Sequence, residues 1–262
     1  MNTRIDLSAA RVTRILGIGL VLLLFLHLVG VFCHLVLHKR AEAFVQLFDV
    51  DLEANLPTFY NCFLFFVGAA LFIVSGRLEE RKAHRKGWGL MAAVFVFLGV
   101  DEGSQIHEKF MLVTLRLMNH GQQTGTNLGW WYYAWVIPYG IAALVLGLVM
   151  IRWLLALDPK LRTGLIVSGI VYVFGAVFME MYSGKIAEAL QSVSLTQDQM
   201  RYIPCEIYEG GTCQQYADVG YIAAYTVEEA CEMIGLIMCA HVLMKALARK
   251  RVTIELVLAP KG

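Results

Sequence analysis

The sequence predicts an all-α polytopic membrane protein with six transmembrane helices, and three observations lead to that fold class. The chain of 262 residues is 58% hydrophobic and only 16% charged, and its mean hydropathy is +0.61. Such a composition lies outside the range of ordinary soluble domains. Long apolar runs alternate with short polar segments, and the basic residues gather in every second segment. The net charge of +1 excludes a strongly basic protein, so we expect no nucleic-acid partner.

The apolar runs place the helices in one transmembrane domain that covers residues 1–262. A bilayer core of about 30 Å requires about 20 helical residues. The first run follows a basic N-terminal segment and is too long for the core of a signal peptide, so we expect it to be retained. The predicted helices cover approximately residues 12–37, 57–75, 88–118, 130–157, 165–190 and 221–244.

The distribution of Lys and Arg predicts that both termini are cytoplasmic. Sixteen of these 22 residues lie in the N-terminal segment, the second and fourth loops and the C-terminal tail. The opposite side holds six, even when residues at helix ends are included. Cytoplasmic segments of membrane proteins carry such an excess. The fifth loop therefore faces outward, and its Cys205 and Cys213 either form a disulfide or remain free thiols.

Three shorter segments have their own expected roles. Residues 41–56 mix apolar and acidic side chains, which predicts a short amphipathic helix on the membrane surface. The aromatic residues 130–133 are typical of an interfacial anchor at the start of helix four, and Pro138 predicts a kink in that helix. His27 and His34 lie within helix one and share one face of it, and we expect them to form hydrogen bonds with neighbouring helices; the alternative is that they are ligands or proton carriers.

Helix three carries the most informative acids. Residues 88–118 contain no proline and predict one continuous helix, which places Asp101 and Glu102 near the membrane midplane. Ionisable groups at that depth cost roughly 2.5–3.5 kcal/mol each on insertion scales, so they normally face the protein interior and serve a function. Helix five adds one acid and helix six adds three. These residues are Glu180, Glu228, Glu229 and Glu232.

Helical spacing predicts that these acids share a pocket between helices three, five and six. Asp101 and Glu108 fall on one arc of helix three, whereas His107 points away from most of that arc. The three acids of helix six share a second arc, and two polar stripes are best accommodated when they face each other. The acids cannot all be ionised without a counter-charge. Either bound cations neutralise them, or protons occupy several of them.

Carboxylates together with an imidazole favour a divalent metal ion, namely Fe, Mn or Zn. We therefore predict a metal centre in an enzyme that acts on a lipid-phase or small hydrophobic substrate. Asp101 and Glu228 are assigned to catalysis, as groups that handle protons or orient the ligands. The predicted ligands are Glu102, His107, Glu108, Glu180, Glu229 and Glu232. The chain lacks the Glu-x-x-His pairs of di-iron bundles and the H-E-x-x-H helix of metalloproteases.

Two other functions fit the same acids. The first is a proton- or cation-coupled carrier, because residues 100–102 and 227–229 are alike and lie on helices of opposite direction, as in inverted-repeat transporters. The second is an accessory or assembly subunit of a larger membrane complex, whose partner subunits would contact the acids. Membrane lipids are expected partners in every case.

Five segments together resemble a widespread, functionally uncharacterised family of bacterial multi-pass inner-membrane proteins. They are FDVDLEANLPTFY at 48–60, GVDEGSQIHE at 99–108, WVIPYG at 135–140, VFMEM at 177–181 and VEEACEMIG at 227–235. The resemblance extends over most of the chain. It implies a bacterial origin and an inner-membrane location, and it implies nothing about chemistry.

Overall fold

The computed structural model describes residues 8–118, 128–208 and 213–250, and these residues form helices joined by loops, with no strand among them. The main helices are α1 (Ala9–Leu35), α2 (Glu42–Phe48), α3 (Leu56–Arg77), α4 (Lys82–Ser104), α5 (Ile106–Met118), α6 (Val136–Leu155), α7 (Pro159–Val173), α8 (Glu180–Leu190), α9 (Gln199–Tyr202) and α10 (Val219–Arg249). A π-helical segment, Phe174–Met179, joins α7 to α8. Within the described ranges, five helices are long and apolar enough to cross a membrane, or six if the bent pair α4 and α5 counts as one span. The predicted all-α membrane fold is confirmed.

Four long helices begin at a side chain that accepts a hydrogen bond from the first helical turn. Such caps satisfy backbone N–H groups that have no partner within the helix. Both α3 and α7 also carry a proline in the first turn, where its missing N–H costs nothing. The capping residues are Ser8, Asn55, Asp158 and Asp218.

The long helix α10 packs against α1, α3, α7 and α8. We name α7, the π-helical segment and α8 together the helix-five segment, because they correspond to the fifth predicted helix. Glycine permits the closest contact of α10 with this segment. A Cβ atom added to Gly175 would lie 2.6 Å from the carbonyl oxygen of Glu228, and one added to Gly235 would lie 2.8 Å from the backbone nitrogen of Tyr172. Gly175 lies in the π-helical segment, a feature frequent at functional sites. This packing brings Glu180, at the start of α8, alongside α10.

Helix α6 lies at the edge of the bundle. Its outer side chains Ile141, Leu144 and Leu148 are 60–65% exposed, as expected for a surface that faces lipid. Leu146 and Met150 of the same helix instead line a large internal cavity. One face of α6 therefore forms a cavity wall, and the opposite face forms part of the apolar exterior.

The predicted continuous helix over residues 88–118 is wrong. Gln105 has a left-handed backbone conformation, with φ 54° and ψ 43°, and it separates α4 from α5. The two helix axes differ in direction by 80°. The 23 residues of α4 extend about 35 Å, but α4 is not by itself apolar enough to count as a membrane-crossing helix, and it does so only together with α5. The two helices therefore form at most one span, which is bent where α5 turns aside from the end of α4.

Side chains next to the break satisfy the backbone groups that it exposes. Asp101 accepts a hydrogen bond from the backbone N–H of His107 at 2.8 Å, so it caps α5. Lys109 Nζ donates to the carbonyl oxygen of Ser104 at 2.5 Å, at the end of α4. A helix interrupted without such partners would carry several unpaired groups. The break is thus built from residues on both sides of it.

The break lies at the end of the bundle that also carries α2, residues 49–55 and the described parts of the fifth loop, residues 191–208 and 213–218; we name this the connector end. Helix α2 confirms the predicted short helix in the first connector. Cys205 and Cys213 form a disulfide in the fifth loop. Helix α6 begins six residues later than expected, so Pro138 lies in its first turn and the expected mid-helix kink is wrong.

Replacement of Gln105 by glycine tests the break directly. A left-handed residue other than glycine costs about 1 kcal/mol, so we expect Gln105→Gly to raise the unfolding free energy by about that amount. In a continuous right-handed helix, the same change would lower it by about 0.5–1 kcal/mol. Unfolding in mixed micelles distinguishes the two signs. Ala93→Gly, at an exposed position within α4, is the control and should be destabilising.

Candidate functional site

A cavity of about 1580 Å³ lies between α3, α4, α6, α10 and the helix-five segment. It is larger than the usual range for small-molecule sites, about 300–1,000 Å³. The structure brings every sequence-predicted site residue to its walls. These residues are Asp101, Glu102, His107, Glu108, Glu180, Glu228, Glu229 and Glu232. Acids from three separate regions of the chain therefore line one cavity. The expected arc of helix three is wrong, because the break at Gln105 puts His107 and Glu108 on α5 and turns the His107 ring toward Asp101.

Three side chains at the connector end are close enough to bind one metal ion. One potential ligand atom from each of Glu53, His107 and Glu108 lies within 4.8 Å of the other two. Metal–ligand bonds of about 2.1 Å place opposite ligand atoms at most about 4.2 Å apart. Side-chain movements of less than about 1 Å would close that difference. His107 and Glu108 belong to the predicted ligand set, whereas sequence reasoning missed Glu53.

Asp101 positions His107. One carboxylate oxygen lies 3.3 Å from His107 Nδ1, and the other accepts the His107 backbone N–H and the Tyr139 hydroxyl, the latter at 2.9 Å. The Trp135 ring packs 4.8 Å from the His107 ring, measured between centroids. The imidazole is therefore held on one side by a carboxylate and on another by an aromatic ring.

The remaining predicted ligands do not join the three-residue group. Glu102 accepts a hydrogen bond from Asn61 Nδ2 at 3.0 Å, and Glu180 accepts one from Trp135 Nε1 at 2.9 Å. Glu229 and Glu232 lie on α10, the latter about 20 Å along the axis from the start of that helix. They line the deeper part of the cavity. Their role as metal ligands stays a prediction.

Glu228, predicted as a catalytic group, lies at the wall formed by α8 and α10. It accepts a hydrogen bond from the Ser183 hydroxyl at 3.0 Å. Both residues are buried, and the Glu180 carboxyl group is a neighbour of Glu228. The arrangement holds one carboxyl group of α10 against α8 through a side-chain hydrogen bond.

A second set of acids, absent from the sequence prediction, comes from the connector after α2. Asp51 accepts hydrogen bonds from the hydroxyl groups of Tyr216, at 2.5 Å, and Tyr221, at 3.2 Å. The Tyr221 hydroxyl also lies 3.1 Å from that of Tyr133. Buried Asp49 lies behind this cluster, 3.5 Å from the Tyr225 hydroxyl. Tyrosines of the fifth loop and α10 thus anchor the first connector.

Burial sets the electrostatics of these connector acids. It raises the pKa of Asp49 to about 7, with a further contribution from the neighbouring charge of Asp51. Burial also raises the pKa of Asp51 to about 6, although the Tyr216 hydroxyl opposes the shift. The pKa of Glu53 is raised to about 8 by burial and then by the negative charge of Glu102. The connector therefore takes up protons near neutral pH, or a cation in their place.

The structure tests two interpretations of individual residues. Trp130 and Trp131 are exposed, as expected for an anchor, but Tyr132 and Tyr133 line the cavity, so the interpretation is wrong for that half of the run. His27 Nε2 lies 3.1 Å from the Thr226 hydroxyl of α10, which confirms the expected interhelical hydrogen bond. For His34 the expectation is wrong, because its Nε2 instead lies 2.6 Å from the Arg40 carbonyl oxygen, just beyond α1.

The chain belongs to the family described as Domain of unknown function (DUF8692), whose model matches residues 14–246. The match covers most of the chain and agrees with the expected membership of a functionally uncharacterised family. No curated protein and no solved structure matches the chain.

The raised pKa of Asp49 predicts how stability depends on pH. A carboxyl group with a pKa near 7 in the folded state and about 3.9 in the unfolded state binds more protons when folded between these values. Its stabilising contribution is complete below the unfolded pKa and is lost as the pH rises through the folded pKa. We therefore expect the melting temperature in detergent to fall between pH 5 and pH 8.

Asp49→Asn should make this decline shallower, because the amide does not titrate. Asp198→Asn, which changes an exposed side chain of the fifth loop, is the matched control and should leave the slope as in the wild type. A melting temperature that falls with pH as steeply in Asp49→Asn as in the wild type would contradict the raised pKa of Asp49.

Proposed function

We propose that this family member is a membrane-embedded enzyme with a divalent metal ion bound by Glu53, His107 and Glu108. The observation that supports this function best is the convergence of these three side chains at the polar end of a cavity with extensive apolar walls. The proposal keeps two of the six predicted ligands and adds a connector residue. A catalytic site requires both a reactive group and a cavity that accepts the substrate, and here the two adjoin.

The residues present fit a metal ion. Two carboxylates and one imidazole suit Fe, Mn or Zn, and three protein ligands leave coordination positions for water or substrate. The buried Asn61 amide, which donates to Glu102, has an Oδ1 atom without a hydrogen-bond partner among the described residues. Buried acceptors of this kind require a positive or hydrogen-donating neighbour. Because Asn61 adjoins Glu102 and not the three proposed ligands, this atom supports a protonated carboxyl group or a cation among the acids around Glu102.

The protein groups have distinct roles in this proposal. Because His107 Nδ1 faces Asp101, Nε2 is the nitrogen available to a metal, and the carboxylate fixes the ring orientation. Tyr139 in turn holds Asp101. When bound, a divalent metal supplies Lewis acidity toward a polar group of the substrate or toward water. Glu228 and Glu180 both line the cavity, where they are placed to exchange protons with a bound molecule.

The apolar walls favour a lipid-phase or small hydrophobic substrate. They extend the cavity toward the end of the bundle that carries both termini and include large side chains of α3, α4 and α6. These residues include Phe65, Phe72, Phe95, Leu98, Leu146 and Met150. A purely water-soluble substrate would gain little from such a surface.

We place the protein in a bacterial inner membrane with its connector end outside the cytoplasm. The Lys and Arg distribution supports that orientation. The disulfide between Cys205 and Cys213 supports it as well, because disulfides persist in oxidising compartments such as the periplasm.

Elemental analysis of the purified full chain tests the metal centre. We expect about one equivalent of Fe, Mn or Zn per chain in a metal-replete preparation, because the three ligands form one site. Glu53→Gln should reduce the content at least about tenfold, because the loss of a residue that only orients a ligand already lowers metal affinity by about 10–100-fold. Glu80→Gln changes an exposed acid outside the cavity and should retain the metal. A metal-replete wild type without bound metal would contradict the proposal.

A carrier is the second candidate, and the break between α4 and α5 is the observation that favours it. Transporter sites are commonly formed by discontinuous helices whose freed ends face ions. The break at Gln105 lies beside Glu102 and His107, which line the cavity.

Liposomes that contain a pH-sensitive dye distinguish the carrier from the enzyme. A carrier should move protons down an imposed gradient when Na⁺ or Mn²⁺ is added on the opposite side. Glu229→Gln should abolish the flux, whereas Glu80→Gln should preserve it. Wild-type liposomes no more permeable than empty ones would exclude coupled transport of these two cations.

A further inference from the structure

We propose that the cavity binds an amphiphile with a quaternary ammonium headgroup and one apolar chain. The headgroup would lie at the corner formed by Trp135 and Tyr139, and the chain would occupy the apolar part of the cavity. This inference rests on the proposed function, since it names the substrate class of the same site.

The charge of the cavity walls favours a cationic ligand. Among the described residues that line it, nine are carboxylic acids, one is a histidine and none is Lys or Arg. A divalent metal at Glu53, His107 and Glu108 would neutralise two of these acids, and the other seven require protons or a further cation. Phosphate, sulfate or carboxylate headgroups would meet like charges in a low-dielectric site, whereas a cation would be attracted.

Trp135 and Tyr139 provide the aromatic surface that such a cation requires. Their ring centroids lie 5.3 Å apart, and the ring planes meet at 88°. The His107 ring, 6.3 Å from Tyr139 and at 82° to it, is assigned to the metal and is not part of this aromatic corner. All three line the cavity. Aromatic rings at right angles form the box that recognises quaternary ammonium groups through their π faces.

Carboxylates flank both rings and are already hydrogen-bonded to them. Glu180 accepts the Trp135 indole N–H at 2.9 Å, and Asp101 accepts the Tyr139 hydroxyl at 2.9 Å. Each of these carboxylates therefore already accepts one hydrogen bond from a ring, and it can still attract a cation in the corner through its charge. A quaternary ammonium group offers charge without N–H donors, so it suits this corner better than a primary amine does.

The apolar remainder of the cavity accounts for the chain. Phe72, Phe95 and Leu98 line it from α3 and α4, and Leu146 and Met150 line it from α6. The volume of about 1580 Å³ leaves room beyond a headgroup. Each buried methylene adds about 0.8 kcal/mol, so a ligand with a chain should bind much more tightly than its headgroup alone.

Titrations of the full chain in a maltoside detergent, with three small probes, test the proposal. The probes are octyltrimethylammonium, octyl sulfate and tetramethylammonium, and the readout is the concentration-dependent rise in melting temperature. We expect octyltrimethylammonium to bind at least about tenfold more tightly than either of the other probes.

Two cavity variants and one matched control locate the binding site. Trp135→Leu and Glu180→Gln should each weaken octyltrimethylammonium binding by about tenfold. Trp131→Leu, at a nearby exposed tryptophan, should bind as the wild type does. Octyl sulfate that binds as tightly as octyltrimethylammonium would overturn the proposal. Wild-type affinity in both Trp135→Leu and Glu180→Gln would overturn it equally.

Metal content, measured on the same samples, separates this inference from the proposed function. A metal-free wild type that prefers octyltrimethylammonium would overturn the metal centre and support the headgroup site. A metal-loaded wild type without that preference would overturn the headgroup site alone.

Discussion

The structure depends on the cost of placing many carboxyl groups inside an apolar helical bundle. A buried carboxylate without a donor or counter-charge is strongly destabilising. Several of these acids accept a hydrogen bond from a side chain of another helix. Tyr139 binds Asp101, and Trp135 binds Glu180. The donors come from helices remote in sequence, so the same hydrogen bonds that stabilise the acids also join α4, α6 and the helix-five segment around the cavity.

The break at Gln105 follows from the same requirement. In a continuous helix, the Asp101 carboxylate would find no backbone N–H partner on its own helix. With α5 turned aside, it caps the new helix and holds the His107 ring. The turn also directs His107 and Glu108 toward Glu53. One carboxylate at the end of α4 thus caps the next helix and orients the imidazole that we assign to a metal.

The first connector gives the cavity its polar end. Its acids lie beneath the fifth loop, and tyrosines from that loop and from α10 bind Asp51. Burial there raises the pKa of Asp49 and Glu53 toward or above neutrality. Since the connector and the fifth loop meet only in the folded protein, the electrostatics of the site depend on how the loops close over the bundle.

Sequence alone determined the all-α membrane class and approximate helix positions, and it indicated that acids of helices three, five and six converge. These properties follow from apolar run length, the transfer cost of charge and the fixed angular spacing of a helix. Only the tertiary structure decided that helix three breaks at Gln105, that Glu53 joins His107 and Glu108, and that Trp135 and Tyr139 form an aromatic corner. The break depends on hydrogen bonds from Asp101 and Lys109 across it. The other contacts join side chains from separate elements, and their energies depend on distances that local sequence patterns do not encode.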